Sequence, residues 1–347
     1  MRRIIASLLM IVVFLNMSGC SKKEATRYEA TFLELFDTVT TIVGFGKSEE
    51  DFSTFAQAVH DDLEEYHKLY DIYNDYKGIN NIKTINDNAG ISPVKVDVRI
   101  IDLLDFSKKA AEITGGEINI AYGAVLRVWH DYRTEGIDDP ENSKLPPMEL
   151  LQEKSEHTDI NKLIIDRNSG TVFLEDPEMS LDVGAIAKGY ATEMVARDMV
   201  TKGYQNAMLS VGGNVCTIGN KPDGEAWNVG IQNPDMESEQ SNLYVLRLKD
   251  YSLVTSGDYQ RYYTVEGMRY HHIIDPDTLM PASYYTAVSI ICRDSGMADA
   301  LSTSVFNMPY EQGLALVEGL EDTEALWVFK DGSMKHSSAF NQFFPIE

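Results

Sequence analysis

The chain has 347 residues, 44% of them hydrophobic, and a formal net charge of −24 with an isoelectric point near 4.6. That length can bury a sizeable core, as one large domain or two intertwined ones. The charge argues against a nucleic-acid ligand, whose phosphates need Lys and Arg to displace their counterions. Three cysteines are too few for a disulfide framework or a cysteine-built zinc site.

Taken in order, the chain begins with Arg2 and Arg3, then an apolar run over residues 4–15 that is too short for an ordinary membrane span. Met17-Ser18-Gly19-Cys20 follows. Two small residues and a cysteine after such a run resemble the lipobox of bacterial lipoproteins. We therefore expect a signal peptide over 1–19, a lipidated Cys20 that anchors the protein to the cell membrane on its extracytoplasmic face, a linker over 20–29, and one domain over 30–347. Cys216 and Cys292 sit in apolar strand-like runs and read as buried small hydrophobes, with a single bridge left open.

Residues 30–45 read as a strand pair, with β-branched alternation over 36–43. Ser48 is placed to cap a helix that reaches about Tyr70 and presents Phe52, Phe55, Val59, Leu63 and Tyr66 on one face. The Asn-rich stretch 71–82 reads as a loop or short helix. Asp97 caps a further helix that ends at Gly115-Gly116. A segment starts at Asn119, an acidic loop covers 138–147, and a charged helix covers 148–157. A hairpin turns at Arg167-Asn168-Ser169-Gly170. A helix is expected over 185–202. Strands are expected over 207–211, 227–232, 243–248 and 252–256, a hairpin around Glu266-Gly267, a strand over 287–293, helices over 297–306 and 309–318, and a last strand over 325–329. The pattern is α+β: a mixed, mostly antiparallel sheet with surrounding helices.

Four stretches carry chemistry. Leu181-Asp182-Val183-Gly184-Ala185-Ile186-Ala187-Lys188 is a strand end, a turn and a helix start, an arrangement suited to phosphate. Gly212-Gly213 closes a strand and permits close approach of a ligand. His271 and His272 are neighbours in a strand-like run, so only one can face a site. A Ser–His–Asp triad fits poorly, for no strand–turn–helix elbow surrounds a serine. Asp299 and Thr303 are four residues apart on one helix face, and their oxygens suit Mg²⁺.

Five motifs in this order, 183–191, 210–214, 256–259, 272–276 and 298–303, closely resemble the ApbE family, the FAD:protein FMN transferases, many of them lipoproteins. The resemblance runs from about Phe36 to the C-terminus. It implies a T-fold-like flavin transferase fold and Mg²⁺-dependent transfer of the FMN moiety of FAD to a Thr or Ser hydroxyl of extracytoplasmic or membrane redox proteins, with AMP leaving. By motif match, Asp299, Ser302, Thr303 and the Ala185 carbonyl would hold the metal. Asp182, Lys188, Ile273, Ala121, Tyr122, Gly123 and Asn80 would contact FAD. His272 and Asp299 would carry catalysis, His272 as proton acceptor. Two positions depart from the pattern: Leu279 stands where relatives often have Gly, and Asn119 where they commonly have Asp. The alternatives are an Mg²⁺-dependent FAD pyrophosphatase giving FMN and AMP, and a lipoprotein that only binds flavin.

Overall fold

The computed structural model describes residues 25–345. The expected signal peptide and Cys20 lie outside the described residues. The centre of the fold is an eight-stranded sheet in the spatial order Thr26–Phe32, Thr40–Gly46, Ala207–Val211, Asn214–Ile218, Ser252–Gly257, Tyr285–Cys292, Glu324–Phe329, Met334–His336. Every pairing in it is antiparallel. The Met334–His336 strand lies beyond the one expected to be last. Its three residues are too few to carry an alternation signal.

The pleat sends successive side chains to opposite faces, and each face meets a different layer. Ile42, Val254, Ile290 and Trp327 pack under the helices, while Val43, Leu253, Ile291 and Leu326 pack under a separate hairpin, Trp227–Gln232 with Asn242–Leu248. All eight are buried. Each such side chain contributes about 1.5–3 kcal/mol through burial.

Three of the helices that matter for the cleft start as their sequences dictate. The Ser48 hydroxyl accepts the Asp51 N–H at 3.1 Å and opens Glu49–Tyr70. Asp97 opens Val98–Ile113, and Asp294 opens Ser295–Asn307 by accepting the Met297 N–H at 2.9 Å. The Ala187–Thr201 helix begins two residues later than expected, and its own N-cap residue, Ile186, supplies no side-chain bond. Its cap comes from another helix, as described below. The strand Val94–Lys95 joins the Leu163–Asp166 and Thr171–Leu174 hairpin in a three-stranded sheet. Cys216 and Cys292 are buried and unbridged.

Candidate active site

A cavity of about 540 Å³ opens where the starts of the Ala187–Thr201 and Ser295–Asn307 helices meet the Ser252–Gly257 strand and the loop after His271. That volume is in the usual range for small-molecule sites. Its lining includes Asp182, Ala185, Lys188, Tyr122, His272, Ile273, Asp299 and Thr303.

Asp299 organises the floor. It is 4% exposed. Its Oδ2 accepts the Gly189 N–H at 2.8 Å and lies 3.9 Å from the Lys188 ammonium. The carboxylate therefore caps the helix that lacks a cap of its own. Burial pushes its carboxyl above the ordinary range, and Lys188 and the Gly189 N–H only partly oppose this. The Gly189 N–H is the group that would close a helical bond onto the Ala185 carbonyl. Among the described residues, no backbone N–H donates to that carbonyl.

Gly189 makes this approach possible. A methyl group there would sit 2.5 Å from Asp299 Cβ and against the Ser295 carbonyl. Gly189→Ala is expected to lower stability by about 1–3 kcal/mol. Thermal melts of the two proteins measure it.

The neighbouring hydroxyls differ in role. Thr303 lines the cavity. Ser302 does not: it is fully buried, donates to the Asp299 carbonyl at 2.9 Å and lies 2.8 Å from the Ser256 hydroxyl. One residue along a helix is a turn of about 100°, which faces Ser302 to the sheet and Thr303 to the cleft. Ser256, 3.4 Å from the Thr303 hydroxyl, lines the cavity instead.

The two histidines separate: His271 ends the Met268–His271 strand and His272 opens the loop after it. His271 accepts the Ile273 N–H at Nδ1 and donates from Nε2 to the Ala282 carbonyl at 2.8 Å. Both its nitrogens are used inside the fold. His272 lines the cavity, with Nδ1 3.2 Å from the Arg261 carbonyl. A carbonyl only accepts, so Nδ1 carries the proton and Nε2 keeps the lone pair. Burial, then the Arg261 and Arg133 charges, bring its pKa down to about 3.

Asp182 accepts the Gly184 N–H at 2.8 Å, and burial raises its carboxyl. Lys188 reaches the Gly184 carbonyl at 3.3 Å. Ala121 and Gly123 do not line the cavity. They hold its wall: Ile120 and Tyr122 bond to Asp182 and Ser180, and a Cβ on Gly123 would lie 2.8 Å from the Ser180 carbonyl carbon. Asn80 is also outside the cavity; its amide donates to the Lys95 carbonyl at 2.8 Å. The Asn-rich stretch reaches the cleft through Tyr73 and Asn74.

Both departures from the expected motifs have local reasons. Leu279 takes the left-handed φ of +61° that a glycine would adopt, and its carbonyl accepts the Trp129 indole N–H at 3.0 Å. Asn119 accepts the Ala121 N–H and donates to the Thr158 carbonyl at 2.8 Å, which an ionised Asp cannot do.

Asn214, the last residue of the 210–214 motif, lines the cavity, and residues outside the motifs complete it: Phe36, Asp37, His67, Tyr73, His130, Arg133 and Arg261. Arg133 and Arg261 have no carboxylate within ion-pair distance among the described residues, whereas Arg99, Arg167 and Arg197 each have two. Burial lowers the Arg133 pKa. Unpaired guanidinium groups in a cleft of a strongly acidic chain suit an anionic ligand.

The donor set around Asp299 consists of oxygens: a buried carboxylate short of counter-charge, the Thr303 hydroxyl and the unbonded Ala185 carbonyl. It fits a hard divalent cation that retains water. Among the described residues, no group of three or more His, Cys, Asp or Glu is placed to hold a metal ion.

A sequence model of the ApbE family matches residues 26–327. The FAD:protein FMN transferase of Treponema pallidum is 33% identical over 271 residues, 74% of this chain and 73% of that protein. That of Klebsiella pneumoniae is 31% identical over 77% and 80%. The crystal structure of the ApbE protein of Thermotoga maritima superposes with a TM-score of 0.80 at 28% identity, covering 92% of this chain and all of that one. The flavin transferase ApbE from Vibrio cholerae gives 0.77 at 25% identity, with the same coverage.

Proposed function

This chain belongs to the ApbE family, and we propose that it transfers the FMN moiety of FAD to a Thr or Ser hydroxyl of an acceptor protein, with Mg²⁺ held at Asp299, Thr303 and the Ala185 carbonyl. The observation that carries this reading is the convergence of Asp299, Thr303, Lys188 and a neutral His272 on one cavity.

The reaction forms a bond from the acceptor oxygen to the FMN phosphorus and breaks the bond from that phosphorus to the AMP oxygen. The hydroxyl proton goes to Nε2 of His272, and AMP leaves. Phosphoryl transfer of this kind asks the protein for positioning and charge more than for covalent chemistry. Asp299, Thr303 and the Ala185 carbonyl would hold Mg²⁺, which would supply positive charge for the diphosphate. Lys188 adds a second charge on the same side. Asp182 and the Gly184 turn orient the helix start towards the phosphates. Burial, then Arg261 and Arg133, keep the imidazole deprotonated, and the negative charge of the anionic substrate then strengthens the base.

Membrane attachment through Cys20 belongs to the same proposal. The lipobox-like Met17-Ser18-Gly19-Cys20 supports it. It would set the enzyme beside extracytoplasmic or membrane-bound redox acceptors.

Incubation with FAD, Mg²⁺ and a Thr-bearing acceptor domain is expected to give a covalent adduct, seen by mass and by flavin fluorescence after denaturing electrophoresis, together with stoichiometric AMP. Free FMN and AMP with no adduct would establish the pyrophosphatase. FAD binding without AMP release would leave only a flavin-binding protein.

A further inference from the structure

One wall of the cleft is made of backbone that side-chain-bearing residues rarely adopt. Phe36 and Asp37, both lining the cavity, have φ of +54° and +52°. Such backbone persists only where its surroundings hold it.

His67, in the last turn of the Glu49–Tyr70 helix, is what holds it. The Phe36 N–H donates to His67 Nδ1 at 3.2 Å, and the two rings meet edge to face at 5.5 Å. An amide N–H can only donate, so Nδ1 is the acceptor and the ring proton sits on Nε2. Nε2 lies 3.3 Å from the Tyr76 hydroxyl, and that hydroxyl donates to Asp71 Oδ2 at 2.8 Å. Asp71 closes the chain of bonds. It accepts the Tyr73 N–H at 2.6 Å, the Asn74 N–H at 3.0 Å and the Asn74 amide at 3.0 Å. Burial alone would raise the Asp71 carboxyl, but these donors and Tyr76 hold it below the ordinary value, so it remains an ionised acceptor.

The network has one possible polarity, from Phe36 to Asp71. It joins two stretches distant in sequence, 36–38 and 71–74, that face the same cavity. It includes neither the base nor the groups around Asp299.

The geometry points to His67 as a positioning residue for the dinucleotide substrate: it fixes Phe36–Asp37 directly and, through Tyr76 and Asp71, fixes Tyr73–Asn74 as a second wall set against bound FAD. This rests on the transferase reading above. Its effect falls on FAD binding and leaves the chemical step alone.

Two substitutions separate the two ends of the ring in the full-length protein. His67→Asn places an amide oxygen near the position of Nδ1 and can still accept from Phe36. His67→Gln reaches the position of Nε2, keeps Tyr76 and loses Phe36. With FAD, Mg²⁺ and an acceptor domain, H67Q is expected to raise KM for FAD about tenfold, with kcat and KM for the acceptor within about twofold. H67N is expected to recover most of that loss. Tyr76→Phe, which keeps the ring and removes the hydroxyl, is expected to raise KM for FAD about threefold. It carries the test if H67Q melts too low to assay. Equal effects of H67Q and H67N, or a loss confined to kcat, would overturn the assignment. A wild-type protein that binds no FAD would instead overturn the transferase reading itself.

Discussion

Asp299→Asn is expected to leave the fold intact and reduce transfer by about 10³-fold, roughly 4 kcal/mol of transition-state charge stabilisation. An Asn oxygen can still accept the Gly189 N–H that Asp299 Oδ2 accepts at 2.8 Å, so the Ala187–Thr201 helix keeps its cap. The charge is lost, and with it the group that answers a cation beside Lys188. Removing a buried carboxylate whose desolvation is only partly offset is expected to hold or raise the melting temperature without Mg²⁺. The proposed metal site predicts that added Mg²⁺ raises the melting temperature of the wild type and not that of D299N. Asp299→Ala differs in a useful way. It removes the cap as well, and is expected to cost about 1 kcal/mol of stability in addition to activity. Both variants are assayed after chelation and return of Mg²⁺. Full Mg²⁺-dependent transfer by D299N would place the metal elsewhere and remove the basis for the mechanism above.

Much of this cleft was legible from the sequence because its residues sit on elements with strong local signals. Ser48 and Asp97 announce the helices they cap. Gly212 and Gly213, at φ of +58° and +88°, end the strand as expected, though the returning strand Asn214–Ile218 is not among those expected. Adjacency in a strand-like run separates His271 from His272 without any structure. The features that escaped the sequence depend on tertiary contact. Nothing in a Phe-Asp pair signals left-handed backbone, because the cause is His67, 31 residues away. The Asp299 cap joins residues 110 apart. No motif marks Arg133; it reaches the cleft on the helix Gly123–Asp138, which packs at Gly136 against the hairpin that carries Tyr263. Asn80 and Asn74 are equally plausible by composition. An Asx turn on Asp71 decides between them by aiming Asn74 inward.

These tertiary contacts share a pattern. Helix starts and loop turns that would need their own caps are satisfied by side chains from distant parts of the chain: Asp299 for Gly189, His67 for Phe36, Asn86 for Leu181. The cavity wall is therefore a set of backbone segments fixed from outside themselves. Substitutions that appear remote from the substrate are expected to act on it through one shared backbone hydrogen bond.

His272→Ala is expected to lower kcat by about 10²–10⁴-fold, the usual contribution of a positioned base, while KM for FAD changes little. His272→Gln, which can bond but cannot take up the proton, is expected to behave like the alanine variant. The pH dependence supplies the sharper test. Burial and Arg261 bring the His272 pKa down to about 3 in the free enzyme. A free imidazole would gain its proton as pH falls through about 6.5. Here the ring stays neutral through that range, so the wild-type kcat/KM is expected to hold from pH 8 to about pH 6, with no acid limb near the ordinary histidine value. Stability has the matching sign. Between about pH 6.5 and pH 3 the unfolded chain binds a proton at this position and the folded chain does not, so the contribution is complete above 6.5 and is lost as pH falls. H272Q removes that term, and its melting temperature is expected to decline less than that of the wild type between pH 7 and pH 5. An acid limb near pH 6.5 that persists in H272Q would assign the titration to another group. An H272A variant with unchanged kcat would leave the acceptor hydroxyl without a protein base.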